Sequence, residues 1–185
     1  MESKKAQKKH TYEILESRIV VLGEITDENV NYAIKEILDI AKEDSKKQGT
    51  PEPIELILNS PGGGVEYGFG LVDCIESCPT PIHVTVMGHA MSMALPILCV
   101  AAYRKMTKRS TLMYHEISWG VDREKLSWHK QEMAAGDRLQ KMYDDVIIEY
   151  SKITKKKLED VKSKHAEWYI DAEEALKLQL IDEIV

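Results

Sequence analysis

The chain has 185 residues, 43% of them hydrophobic and 30% charged, with a formal net charge of −6. This composition suits one folded domain with a sizeable core, and it offers no basic excess to favour nucleic acid or an anionic membrane. The longest apolar run, from Met91 to Tyr103, is too short to span a bilayer and contains Ser92 and Pro96. The lysine-rich opening MESKKAQKKH is not followed by the apolar stretch of a signal peptide, so a soluble, cytoplasmic protein is expected.

Residues 1–15 read as a flexible N-terminal segment, and 16–185 as one domain. The strand-like RIVVLGEI (18–25) leads into a helix in which Val30, Ala33, Ile34, Ile37, Leu38 and Ala41 recur at steps of three and four, with Asp27 as the expected N-cap. A polar loop precedes the strand IELILN (54–59), which runs into SPGGG (60–64) and a helix over 65–78 that PTP stops. In PIHVTVM, Ile82, Val84 and Val86 alternate with polar neighbours, predicting a strand over 82–87. A tight turn at Gly88 and an apolar helix over 92–103 follow. After a basic turn comes the short strand TLMYH (111–115). A long charged helix is expected over about 124–153, with Leu139, Met142, Val146, Tyr150 and Ile153 as its apolar stripe. TKKKLEDVKSK reads as a short solvated helix, and DAEEALKLQLIDEIV as a final helix and apolar segment. Alternating strands and helices argue an α/β domain with a mainly parallel sheet.

Two places carry candidate chemistry. Three glycines between a strand and a helix let the backbone approach a ligand closely with N–H groups turned outward. The spacing fits neither dinucleotide-binding nor P-loop phosphate motifs, leaving a surface for a peptide or an oxyanion, or simply a turn. Ser92 stands at a strand-to-helix junction, where a hydroxyl is either an N-cap or an exposed nucleophile with amide donors beside it. His115, at a strand end, is either a satisfied polar residue or the base such a serine needs. Cys74, Cys78 and Cys99 lack metal-ligand spacing and read as small buried hydrophobes in a reducing compartment. No histidine pair has zinc spacing, and no metal or cofactor is expected.

NSPGG at 59–63, GHAMSMA at 88–94 and MYHE at 113–116 resemble, in order and separation, the signature motifs of the Clp peptidases, the ClpP-type serine proteases. The likeness runs from SRIVVLGEI to the C-terminal AEEALKLQLIDEIV. The resemblance implies Ser92 as nucleophile and His115 as general base, with the backbone N–H groups of Gly63 and Met93 as oxyanion hole. Gly62 and Gly64 would line an extended peptide substrate. In this family an aspartate lies five residues before the alanine that opens an AxEA helix. Ala172 sets that register here, so the position falls on Glu167. Asp171 lies close by but has a capping role available with Glu174. Glu167 is therefore expected to orient His115, with an extra methylene to accommodate.

Further departures are Glu116 and Ile117 where the family has glutamine and proline, and Ile57 where it often has an aromatic at the ATPase-docking rim. The fold implied is a ClpP/crotonase-like spiral of repeated β-β-α and βα units with a protruding handle helix over about 124–153. The assembly implied is a homo-oligomer of two stacked heptameric rings that degrades unfolded polypeptides delivered by a separate AAA+ unfoldase. The alternatives are a catalytically impaired ring subunit, a crotonase-type acyl-CoA enzyme on the same fold, and a non-enzymatic assembly protein.

Overall fold

The computed structural model describes residues 17–118 and 126–185, with the backbone alone over 126–132. The expected flexible segment 1–15 lies outside the described residues, as do 119–125.

Two βαβ units build one half of the sheet. Strand β1 (Ile19–Leu22) and helix α1 (Asp27–Asp44) lead to β2 (Ile54–Ser60), and α2 (Val65–Ser77) leads on to β3 (Ile82–Met91). Both strand pairs are parallel, with Val20 beside Leu56 and Leu56 beside Val84. Helix α1 starts one residue earlier than Asp27 suggested: Thr26 is the N-cap, and its hydroxyl accepts the Asn29 N–H at 3.2 Å. The three–four spacing holds at Val30, Ala33, Ile37 and Ala41, while the expected Leu38 is exposed and Ile40, outside the expected set, is buried in its place. Val30, Ala33, Ile37 and Ile40 are buried, and α1 packs on β1 and α2. Each fully buried isoleucine on such a face stabilises the fold by about 1.5–3 kcal/mol.

The apolar run after Gly88 departs most from expectation. Strand β3 does not end at Met87 but continues through Gly88 to Met91. Gly88 takes φ 102°, and a Cβ there would lie 2.6 Å from the Asn59 side-chain oxygen. That oxygen accepts the His89 N–H at 3.3 Å, while the Gly88 N–H donates to Ser110 Oγ at 2.9 Å. The strand bends here and changes neighbour. Residues 83–86 pair with β4 (Tyr103–Met106), and 89–91 pair with β5 (Thr111–Tyr114). The expected helix over 92–103 contracts to α3 (Ala94–Cys99), since the chain turns at Val100 to lay down β4. Pro96 sits in the first turn of α3, where its missing N–H costs nothing.

The long helix, α4, spans Leu126–Glu149, ending earlier than the 153 expected. Among the described side chains of α4, Tyr143 and Ile147 are fully buried, flanked by the half-buried Leu139, Met142 and Val146. Helix α5 (Lys155–Ser163), capped by Thr154, precedes β6 (Trp168–Ile170), a strand too short for sequence periodicity to reveal. Strand β6 pairs antiparallel with β5, joining Leu112 to Ile170, Met113 to Tyr169 and Tyr114 to Trp168. Helix α6 (Ala172–Lys177) and β7 (Glu183–Ile184), which pairs with β4, complete a mixed α/β fold whose sheet is parallel except at β6. No helix among the described residues is long and apolar enough to cross a membrane.

Candidate active site

Ser92 follows directly on β3, where that strand lies between β2 and β5. Its φ is 51°, in the left-handed region that costs a residue with a Cβ about 1–2 kcal/mol. Neighbours hold the turn. The Ser92 N–H donates to Met113 O at 2.9 Å, and the Tyr143 hydroxyl of α4 donates to Ser92 O at 3.2 Å. Ser92 is not a helix cap. Met93 holds that position without any side-chain cap. Ser92 Oγ instead lies 2.8 Å from His115 Nε2. The serine hydroxyl is thus not used as a helix cap, and at φ 51° it faces an imidazole.

The glycines explain themselves at the same place. Gly62 has φ 97°, and a Cβ on it would stand 2.6 Å from Ser92 Cβ and 2.8 Å from Met91 O. Gly63 has φ 144°, and a Cβ there would fall 2.3 Å from the Ile25 carbonyl oxygen. That close approach exists because the loop adds itself to the β1 side. Ile25 N–H donates to Gly62 O, and Gly64 N–H to Ile25 O, each at 2.8 Å. This leaves the Gly63 N–H turned away from Ile25. Among the described residues neither that N–H nor the N–H of Met93 has a hydrogen-bond acceptor. Two unpaired donors beside a serine–imidazole pair are suited to an oxygen that gains negative charge.

His115 is gripped on both sides by a network the sequence did not disclose. The preceding residue, Tyr114, is fully buried and donates through its hydroxyl to Asp144 Oδ1 at 2.7 Å. Two residues on, the Ile117 N–H donates to Gln140 Oε1 at 2.7 Å. Gln140 Nε2 also donates to Asp144 Oδ1, at 2.9 Å, and Lys162 Nζ to Asp144 Oδ2, at 2.7 Å. Burial, then the bond to Asp144, pushes the Tyr114 phenol far above its usual range. Asp144 thus ties the histidine segment to α4 and α5. A heptad-like count along α4 puts Asp144 beside the apolar Tyr143 and Ile147, but nothing in the spacing marks its partners. A cavity of about 520 Å3 opens beside this network, lined by Glu116, Gln140, Lys162 and His165 among others, and its lining includes neither Ser92 nor His115.

Ser92, His115, Gly62, Gly63 and Met93 therefore come together. Glu167 makes no bond to His115. The β5–β6 register, carried one residue beyond Tyr114–Trp168, sets Glu167 opposite His115. Yet the exposed carboxylate accepts the Tyr169 hydroxyl at 2.6 Å, and among the described residues His115 Nδ1 has no acceptor. Asp171 caps α6, its Oδ1 accepting the Glu174 N–H at 2.8 Å. Gly64 lies against the Tyr67 ring, outside the serine–histidine contact. Among the described residues no group of three or more His, Cys, Asp or Glu side chains is placed to hold a metal ion.

Comparison with known proteins places this geometry in context. Residues 2–185 match the Clp protease family. A relative from Dehalococcoides mccartyi named ATP-dependent Clp protease proteolytic subunit is 28% identical over 177 residues, spanning 93% of this chain and 84% of the relative. One from Synechococcus sp. strain CC9902, named ATP-dependent Clp protease proteolytic subunit 3, is 30% identical over 171 residues, spanning 91% and 82%. A third, from Prochlorococcus marinus and named ATP-dependent Clp protease proteolytic subunit 1, is 28% identical over 173 residues.

Proposed function

Given that the chain belongs to the Clp protease family, we propose that it is a serine endopeptidase acting as the proteolytic subunit of an ATP-dependent Clp-type protease. The observation that carries this reading is the 2.8 Å contact between His115 Nε2 and the strained Ser92 Oγ.

In the reaction, Ser92 Oγ adds to the scissile carbonyl carbon while its proton passes to His115 Nε2. The carbonyl oxygen becomes an oxyanion that accepts hydrogen bonds from the Gly63 and Met93 N–H groups. The C–N bond then breaks, and His115 returns the proton to the leaving amine. Water attacks the acyl-serine with His115 again as base, which releases the acid and restores Ser92. A positioned base of this kind contributes about 10²–10⁴-fold. Glu167 stabilises the imidazolium through Nδ1, and its place opposite His115 in the extended β5–β6 register supports that role. The Gly62–Gly64 backbone, with the segment after His115, binds the peptide as an added strand.

The same reading makes residues 16–185 one peptidase domain wound as a ClpP/crotonase-like spiral, with α4 as the handle between two stacked heptameric rings in the cytoplasm. A separate AAA+ ATPase unfolds and delivers the substrates, in keeping with the names of the relatives.

The test is labelling with a fluorophosphonate probe, read by peptide mass spectrometry, on protein whose native mass has been measured. The expected result is an adduct on Ser92 that is lost in Ser92→Ala and much slowed in Glu167→Gln. Absence of an adduct in a preparation of ring mass would refute the reading in favour of an impaired ring subunit. Coenzyme A binding without peptide hydrolysis would refute it in favour of acyl-CoA chemistry.

A further inference from the structure

Glu167 and Tyr169 are two residues apart where β6 begins, so their side chains share a face. In the antiparallel register the same face receives Met113 opposite Tyr169 and, one step past the ladder, His115 opposite Glu167. Directly opposed residues on one face have Cβ atoms about 4.5–5.5 Å apart, within a glutamate's reach of an imidazole. The carboxylate does not take that route. It bends along its own strand and accepts the Tyr169 hydroxyl at 2.6 Å, the short distance of an O–H bonded to a charged oxygen. The bond is felt at the phenol, which the hydrogen bond to Glu167 first, and then the charge, holds above its usual range.

The other charged groups near His115 are committed elsewhere. Glu116 faces His165 Nδ1 at 3.8 Å, and Asp144 and Lys162 are paired with each other behind Tyr114. Lys157 lies over the Trp168 ring at 4.3 Å. Among the described residues no carboxylate bonds to the imidazole. One glutamate thus has two claimants, a phenol along its strand and an imidazole across it, and its three side-chain torsions allow either.

We propose that Tyr169 is a positioning residue that holds Glu167 in a resting orientation off His115, so that the carboxylate must exchange the phenol for the His115 Nδ1–H before Ser92 is fully activated. The inference rests on the serine-peptidase reading given above. No bond to carbon is made or broken in the exchange. One acceptor passes from an O–H donor to an N–H donor. Tyr169 then sets the fraction of subunits with a completed triad, and any event that draws the phenol away, such as substrate lying along this exposed edge, raises that fraction. Tyr169 is 54% exposed, so removing its hydroxyl leaves the core intact.

The experiment compares wild type, Tyr169→Phe, Tyr169→Leu, Glu167→Gln and Tyr169→Phe/Glu167→Gln, each verified to have wild-type native mass. The readouts are peptide hydrolysis across pH and phosphonate labelling of Ser92. Loss of the competing bond is expected to raise kcat about three- to tenfold at unchanged KM, the scale of one ordinary net hydrogen bond, since water at this exposed position weakens the charged one. It also moves the acid limb of the kcat/KM profile to higher pH, because a carboxylate on Nδ1 favours the protonated imidazole. Both effects are expected in Tyr169→Phe and Tyr169→Leu, and neither in the Glu167→Gln background. An unmoved acid limb with unchanged or lower kcat in both tyrosine variants would overturn the proposal, as would a gain that survives Glu167→Gln. If Ser92 labels normally while these effects are absent, only the role of Tyr169 falls. If wild type neither labels at Ser92 nor loses hydrolysis in Ser92→Ala, the peptidase reading falls and takes this proposal with it.

Discussion

Replacing Asp144 by alanine is expected to cost far more than its distance from Ser92 Oγ suggests. The side chain is 12% exposed and accepts from three donors on three elements. Its removal leaves the fully buried Tyr114 O–H without an acceptor, with only the Gln140 Nε2 donor at 3.5 Å still beside it, at about 1–3 kcal/mol. Lys162 loses its buried partner, but it keeps Glu159 at 3.0 Å and some access to water, so it adds only about 1 kcal/mol. The Gln140 amide is half-buried and re-solvates readily. The whole comes to about 2–4 kcal/mol, overlapping the range for breaking a buried pair by removing one member. For a chain of this length, 1 kcal/mol moves Tm by about 2–4 °C, so a fall of roughly 4–16 °C is expected in thermal unfolding at fixed protein concentration. Because Tyr114 and Ile117 flank His115, hydrolysis well below the melting transition should also drop about ten- to a hundredfold, the scale of a misplaced catalytic group. Adding Tyr114→Phe removes the stranded hydroxyl and should recover about 1–2 kcal/mol. A Tm loss under 2 °C, or strict additivity of the two substitutions, would refute the account of Asp144 as the link between the histidine segment and the long helix.

Gly63→Ala should lower hydrolysis by on the order of 10², comparable to losing one oxyanion donor, because its Cβ would press 2.3 Å from the Ile25 carbonyl oxygen and turn the residue 63 N–H; turnover within threefold of wild type would count against the assignment. The Arg18 guanidinium, bonded to Asp44 at 2.9 and 2.8 Å, holds that carboxyl below its ordinary 3.8. A depressed native value means the stabilisation is complete above about pH 4 and is lost as pH falls through the native value. Urea midpoints from pH 7 to pH 2 should therefore decline more steeply below pH 4 in wild type than in Asp44→Asn, and parallel curves would contradict the pairing. Burial pushes the Cys99 thiol up to about 12 and the Cys74 thiol up to about 11. At pH 8 iodoacetamide should leave both unmodified in the folded protein and label all three cysteines in urea, and alkylation of native Cys99 would show that the α3 core opens.

The sequence by itself determined the elements whose signals are local. The three–four spacing of Val30, Ala33 and Ile37 marks α1, the alternation of Ile82, Val84 and Val86 marks the first half of β3, and Asp171 ahead of Glu174 marks the start of α6. The site motifs were legible through their resemblance to the Clp peptidases, since the glycines alone fit a plain turn equally well; Gly62 and Gly63 are the residue type that φ near 97° and 144° requires. Tertiary structure decided what depends on a partner distant in the chain. Gly88 reads as a turn, but only Asn59 and Ser110 make it a bend inside one strand, because their side chains take up the backbone groups the bend frees. The run from Met93 to Ala102 is apolar throughout, and apolarity alone does not choose between one long helix and a short helix that hands over to a strand; the pairing of β4 with β3 and β7 chooses. Tyr114, Gln140, Asp144 and Lys162 are unremarkable one by one, and they form a network only when β5, α4 and α5 pack together. Glu167 shows both sides of the division. The resemblance to the Clp peptidases singled it out by its register before Ala172, while its bond to Tyr169 follows from how a short antiparallel strand brings alternate side chains to one face.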